Sequence, residues 1–393
     1  MTGPSPRRLL KYVTGPLGLQ PYLQSPGDGR RQPQIPARVL IWALLLGQLL
    51  RQFSFLAIEA LAGSAAGVNR SFGDDTLAYF TERLDPALTR GALAATLRKA
   101  KRNKAFDGSR FIGLVVDGTG AGRRRAGGCK FCRPIRKKNL EVVGYHHKLV
   151  MISVAGTGLS LPVDVEPYGP GDSEYAAAQR LLRRAVANLG ARFADYVVGD
   201  GEFATAPFLH TADALGLPVL ARLQANLPEL LGAAQKRFRS QPPKLCFRYR
   251  QDRVDMWDAD DFDPWETLRW PTVRVFFYRQ HKPDGQVVEA FWLTNLSTRK
   301  AGTRFLFQLA KSRWEIENQG FNDAKNRYGM EHICHHHPHS MLTGWLLLAL
   351  GLTIERLYRI RYLHRGDHPV RTAIELLRIL WFHLAVPSTA DTS

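Results

Sequence analysis

Acidic residues are in short supply in this chain: 35 Asp and Glu stand against 54 Lys and Arg, a formal charge of +19 over 393 residues. Such an imbalance favours a polyanionic partner, nucleic acid or an anionic membrane surface, over a small neutral substrate. Cysteine is scarcer still, and four in so long a chain exclude a disulfide scaffold. Uninterrupted apolar runs are also missing. Val39 to Leu50 is broken by Gln48 and followed by Arg51, and Met341 to Ile354 carries Gly344 and Gly351. Both fall short of the roughly 20 residues a bilayer requires, so each reads as a buried helix and no membrane partner is expected. The first residues lack the ordered charged, apolar and small-residue zones of a signal peptide, which predicts a cytoplasmic protein. No internal repeat or low-complexity tract occurs. A hydrophobic content of 45% is enough for a large core, in one elaborated domain or two to three smaller ones.

Cys129 and Cys132 form a Cys-x-x-Cys pair. Cys334 lies in a second segment, Glu331 to His339, with His332, His335, His336, His337 and His339. A structural Zn²⁺ assembled from the two segments is one reading, but a second Cys-x-x-Cys is missing, and reduced thiols on a basic loop are preferred. Of the histidines, His332, beside Glu331, is the one singled out for testing.

The organisation along the chain follows from pattern and punctuation. Residues 1–37, with Pro4, Pro6, Gly15, Pro16, Pro26, Gly27 and Gly29, read as a flexible basic arm. Residues 38–108 read as a helical region suited to DNA binding: a buried helix over 38–62, one capped by Asp74 and Asp75, and one opened by Asp85-Pro86. The last ends in Arg98, Lys99, Lys101, Arg102 and Lys104, cations that suit either a helix dipole or DNA.

Residues 109–222 alternate strands and helices. Phe111 to Val116 is an apolar strand stopping at Asp117-Gly-Thr-Gly120. His147 to Val154 and Leu159 to Val165 make a hairpin turned by Gly156-Thr-Gly158. Asp172-Ser opens a helix, Asp195 to Val198 is a strand running into Gly199-Asp200-Gly201, and a helix and the strand Pro218 to Arg222 follow. This order is that of an α/β, ribonuclease H-like core, a mixed sheet flanked by helices. Residues 223–300 read as an inserted β-rich subdomain holding Trp257, Trp265, Trp270 and Trp292. Residues 301–335 return to the core with a long helix over 304–327, and 336–393 are C-terminal helices.

Three acids stand out within that frame: Asp117 and Asp200 at the ends of strands, and Glu317 inside the last core helix. Taken singly, each is explained by a loop cap or a surface ion pair. Taken together, in this order and on these elements, they describe a site for metal-dependent phosphoryl transfer. Hard oxygen ligands from three elements can hold two Mg²⁺ roughly 4 Å apart, Mn²⁺ being able to substitute. Asp164 and Glu166, also near the sheet, are read as solvated strand-end acids. Arg313 precedes Glu317 by one helical turn and Lys325 follows it by about two, so both can face the same ligand.

These residues resemble the DDE transposases of bacterial insertion sequences, in particular the insertion sequence 4 type with its Tyr-Arg-Glu-Lys signature. The likeness spans roughly residues 70–355. It rests on Asp117-Gly-Thr, Tyr145-His-His-Lys148, Gly199-Asp200-Gly, the β insertion and, most specifically, Arg313-Trp-Glu-Ile-Glu317-Asn through Lys325. It implies Asp117, Asp200 and Glu317 as catalytic metal ligands, and Arg313 and Lys325 as contacts to DNA phosphates. Asn318, Arg222 and Trp292 are further candidate DNA contacts, the tryptophan by stacking on a base. The signature's tyrosine position is Ala310 here, with Tyr328 as the substitute. The resemblance further implies a homodimer, assembled on double-stranded terminal inverted repeats and target DNA at the nucleoid, that cleaves and joins 3′ ends. Two rivals are weighed. A catalytically inactive DNA-binding descendant conflicts with the intact acids. A haloacid dehalogenase-type phosphatase requires an Asp two positions after Asp117, where Thr119 stands.

Overall fold

The computed structural model describes residues 5–65, 72–364 and 369–385. Its N-terminal segment is not the loose arm expected. Helix α1 (Pro6–Thr14), opened by Ser5 with Pro6 at its first position, and α2 (Gln20–Gln24) bury Leu9, Tyr12, Val13, Leu17, Leu19 and Leu23. Six apolar side chains spaced to one side of the segment are enough to dock it, whatever its proline content. The single helix expected over 38–62 is two, α3 (Ala37–Leu49) and α4 (Phe55–Ala65). Between them Arg51 takes a φ of 58°, and the chain folds back so closely that a Cβ on Gly47 would lie 2.6 Å from Ile58. Helices α5 (Asp74–Arg83) and α6 (Pro86–Arg102) complete the N-terminal region.

The core sheet contains β1 (Gly113–Arg124), β2 (Arg133–Arg136), β3 (Val142–Ala155), β4 (Leu161–Tyr168), β5 (Tyr196–Gly199) and β6 (Val219–Leu223). Helices α7 (Glu174–Leu189) and α8 (Ala206–Ala214) make the crossovers. Strands β4, β3 and β1 are antiparallel neighbours, and β5 and β6 continue from β1 in parallel. The order β4-β3-β1-β5-β6 with this polarity is that of a ribonuclease H-like core. Both faces are covered. Leu114 and Val116 pack into one apolar cluster with α6 and α7 residues, while Val115 packs into another with Leu309 and Ile316. Period-2 alternation therefore directs Asp117 to the same face as Val115.

The segment 223–300 is not a separate subdomain. After α9 (Pro228–Arg239), the strands β7 (Leu245–Tyr249), β8 (Asp252–Phe262), β9 (Val273–His281) and β10 (Val287–Thr294) form an antiparallel meander. It joins the core because β10 pairs with β6, making one ten-stranded sheet. Leu293 opposite Ala221 continues the buried face across the junction, so the insertion shares the core rather than building its own. The last core helix runs as α10 (Thr303–Ser312), a π turn over Ile316–Phe321 and α11 (Asn322–Asn326). Helix α12 (Pro338–Tyr358) is apolar enough to span a membrane together with the turn after it. Its most apolar window is 89% buried inside the protein, against β4, α3, α5 and α6. Helix α13 (Ala373–Ala385) follows.

Candidate active site

Asp117 does not end its strand as expected. β1 runs on to Arg124, and Asp117 faces Met151 of β3 two residues beyond the last pairing with β5, between Val115 and Val198. The parallel neighbour stops while the antiparallel one continues, and the side chain points into the resulting notch. Its Oδ1 accepts from the Gly118 amide at 2.9 Å. Asp200 follows the end of β5 and caps the short turn Gly201–Phe203, its Oδ1 accepting from the Glu202 amide at 2.9 Å. Gly201 lets the Gln224 side chain lie close, its amide oxygen 2.1 Å from where a Cβ would stand.

Glu317 sits in the π turn. A π turn adds a residue to one helical turn and re-aims the side chains around it, and such turns concentrate at functional sites. Glu315 and Gln319 on this stretch accept from the Gly156 and Ser160 amides at 3.1 and 3.2 Å, docking the β3–β4 hairpin turn under the helix. Buried Arg356 of α12 donates to the Gln319 carbonyl and to Asp323, satisfying a carbonyl in the irregular turn. Arg313 and Glu317 are thereby turned toward the strand ends.

The three acids converge on one atom. Arg313 Nη2 lies 2.9 Å from Glu317 Oε1, 3.4 Å from Asp117 Oδ2 and 3.7 Å from Asp200 Oδ2. Exposure grades outward, with side-chain accessibilities of 10% for Asp117, 28% for Asp200 and 40% for Glu317. The Asp117 carboxyl is pushed up to about 7, first by burial; Arg313 opposes the shift, and the Asp200 and Glu317 carboxylates add to it. Buried Arg313 Nε has no hydrogen-bond partner.

Two more acids that the sequence reading missed flank the trio. Glu202 is pushed above the usual carboxylate range by burial, then by Glu174 and Asp200, with Lys148 opposing. Glu174, at the start of α7, accepts from Tyr168 Oη at 2.6 Å, and its carboxylate lies where a Cβ on Gly118 would stand. The local signal for Glu202 was its place two residues after Asp200. For Glu174 there was none beyond the Ser173 helix cap.

The candidate DNA contacts scatter. Lys325 Nζ is 3.4 Å from Glu331 Oε1, Asn318 is exposed beside Glu317, and Arg222 is half-buried on β6 near Tyr278. Trp292 is wholly enclosed, stacked against Phe276 at 6.3 Å, so none of its surface is free for a base. Tyr328 is buried with its hydroxyl donating to Glu355 at 2.8 Å, which removes it as a substitute for the missing tyrosine. Asp164 and Glu166 are not solvated strand-end acids: Asp164 binds Arg90 at 2.9 Å and Arg184 at 2.5 Å, and Glu166 binds Arg184 at 2.9 Å and Arg180 at 3.0 Å. On α6, Arg98 and Lys101 hold carbonyls of Asn188, Arg192 and Phe193, leaving Lys99 and Arg102 as the other basic residues near its C-terminal end.

The segments expected to share zinc are corrected in part. Cys334 donates to the Phe53 carbonyl, and His332 is exposed. His336 instead meets Cys132 at 3.3 Å, together with His147, which the sequence reading had not connected to them.

A cryo-EM structure of a piggyBac transposase synaptic complex with hairpin DNA is a distant likeness, 14% identical. It matches over 96% of this chain and 77% of that one with a TM-score of 0.44. No curated protein sequence matches the chain. A family model does: the transposase DDE domain matches residues 109–354, from the start of the core sheet into α12. With more than half its length matched, the chain belongs to the transposase DDE domain family.

Proposed function

We propose that this chain is a transposase that binds the ends of its mobile element, cleaves them by two-metal-ion phosphoryl transfer and joins the freed 3′ ends to target DNA. The observation that carries this reading is the convergence of Asp117, Asp200 and Glu317 on the Arg313 nitrogen. The residues fit divalent cations. All three offer hard carboxylate oxygens, and their combined charge exceeds that of the single guanidinium among them. Asp117, Asp200 and Glu317 would hold Mg²⁺, with Mn²⁺ as a substitute, and Glu202 and Glu174 add negative potential beside them. Bound there, such ions activate the attacking oxygen and stabilise the leaving one.

The chain's own residues hold and neutralise the DNA. In the metal-free pocket Arg313 offsets part of the carboxylates' charge. Once cations take that part, its planar fork is available to a phosphate beside the scissile bond. Lys325, Asn318 and Arg222 are proposed as further DNA contacts outside that pocket, and the net charge of +19 favours duplex DNA at the flanks. Assembly as a homodimer on paired ends, in the cytoplasm at the nucleoid, belongs to the same proposal.

The test is a cleavage assay on supercoiled plasmid carrying the element's terminal repeats. Asp200→Asn retains binding of end DNA and loses nicking in Mg²⁺ or Mn²⁺. Nicking at the parental rate would remove Asp200 from the site.

A further inference from the structure

We propose that Cys129, Cys132, His147 and His336 form a structural Zn²⁺ site that ties the end of the Glu317 helix segment to strand β3. Their four donor atoms all lie within 4.8 Å of one another. The two sulfurs are 3.5 Å apart, His147 Nε2 is 3.5 Å from each, and His336 Nε2 is 3.3 Å from both Cys132 Sγ and His147 Nε2. Tetrahedral zinc with ordinary bond lengths has edges of about 3.8 Å between sulfurs, about 3.6 Å between sulfur and nitrogen and about 3.3 Å between nitrogens. The five edges given match to within about 0.3 Å of those lengths, and the sixth, from Cys129 to His336, lies within 4.8 Å.

The surroundings are built for a closed site. The Cys132 amide donates to the Cys129 carbonyl at 3.1 Å, a tight turn that sets both sulfurs on one side. His147 is fully buried and Cys132 nearly so. In β1 the register slips between Gly120 and Arg123, opposite His147, and Gly122 at φ 110° lets the chain approach the Glu331 carbonyl, which a Cβ would meet at 2.7 Å. Gly169 does the same for the cysteine turn, a Cβ there falling 2.0 Å from the Lys130 carbonyl. Backbone contacts thus press both ligand-bearing loops onto the sheet from opposite sides of His147.

The four donor atoms face a common centre, where a single cation would bind all of them at once. Thiolate and imidazole ligands select zinc over magnesium or calcium. With all four positions taken by protein, no place is left for water or substrate, so the ion is structural. The two thiols release their protons to solvent on binding, leaving two thiolates against Zn²⁺ and a neutral buried centre. The site is independent of the carboxylate trio. Its role is to anchor the segment between α11, which carries Lys325, and α12.

The experiment uses the full-length chain purified under reducing conditions, equilibrated with ZnCl₂ and dialysed into metal-free buffer. Elemental analysis is expected to find one zinc per chain, and the cobalt-loaded chain is expected to show tetrahedral and thiolate charge-transfer absorption. Cys129→Ser and His336→Ala lose the ion, and Glu317→Gln retains it. Alkylation of the wild-type chain, mapped by mass spectrometry, provides a readout that does not depend on any variant folding. Zinc protects Cys129 and Cys132 while exposed Cys246 reacts. The proposal is overturned by zinc-free wild type after this loading or by equal alkylation of all four cysteines. None of these results touches the cleavage reading, which Asp200→Asn tests separately.

Discussion

The guanidinium of Arg313 stands 3.4 Å from the Asp117 carboxylate although 196 residues separate them, and both side chains are at least nine-tenths buried. An arginine so placed acts as the resident cation of an acid-rich pocket. Glu317 and Asp200 lean on the same nitrogen, so without metal the site holds more carboxylate than cation.

Removing that cation should therefore cost stability in the absence of metal. Arg313→Met keeps much of the side-chain volume and leaves the carboxylates facing one another, a loss of about 3 kcal/mol at pH 8 by urea unfolding. The loss shrinks at pH 6, where Asp117 takes up a proton instead. Added Mn²⁺ should raise the melting temperature of the variant more than that of wild type. Equal stability with no response to Mn²⁺ would contradict that arrangement.

The pH dependence follows from carboxyls pushed upward. Asp117 and Glu315 are both raised to about 7, mainly by burial. The folded chain therefore binds more protons than the unfolded one between about pH 4 and 7. Their contribution to stability is full below pH 4 and is lost as pH rises through 7. Metal-free melting temperatures should carry this downward component, Asp117→Asn should flatten it, and Mn²⁺ affinity measured by calorimetry should strengthen across the same interval. A Mn²⁺ affinity independent of pH between 5 and 8 would contradict the assignment.

The two glutamates of Arg313-Trp-Glu-Ile-Glu317 should separate cleanly. Glu315 is buried against the hairpin turn and accepts the Gly156 amide, so Glu315→Gln preserves an acceptor there and shifts stability by less than about 1 kcal/mol, with cleavage retained. Glu317→Gln should bind end DNA and fail to nick it. Plasmid cleavage by both variants side by side decides the matter, and the reverse pattern would relocate the third ligand.

Trp292 should behave as a core residue. Trp292→Ala opens a cavity beside Phe276 and Trp314 and costs about 3–5 kcal/mol of unfolding free energy. Trp292→Phe should bind end DNA as wild type does in a gel-shift titration. A specific loss of affinity in a stably folded Trp292→Phe would restore the stacking role.

Much of the core was legible because its signals are local. Alternating apolar residues from Leu114 to Val116, the glycine turn after Ile152 and Val154, and a cap ahead of α7 each act within a few residues of themselves. The strands leading to Asp117 and Asp200 could be read for the same reason, although β1 continues past Asp117 to Arg124. The continuity of the sheet could not, because nothing near Trp292 announces that Arg222 lies beside it. A tryptophan on a half-polar strand reads alike whether a core or a solvent lies above it. The N-terminal prolines misled in a similar way: Pro6 opens a helix rather than breaking a chain, and the docking of Leu9 and Val13 depends on partners far along the sequence.

Residue type and spacing thus determined which acids are available, which strands carry them and how basic the whole surface is, since these depend on chemistry and periodicity alone. Tertiary packing decided the rest. It turned Glu317 and Arg313 toward the strand ends through a π turn buttressed by α12, and enclosed Trp292. It also drew Cys129, Cys132 and His336 around His147. Each of these is a meeting of groups distant in the chain, produced by the closure of the whole sheet and its covering helices, and no local preference of the backbone encodes it.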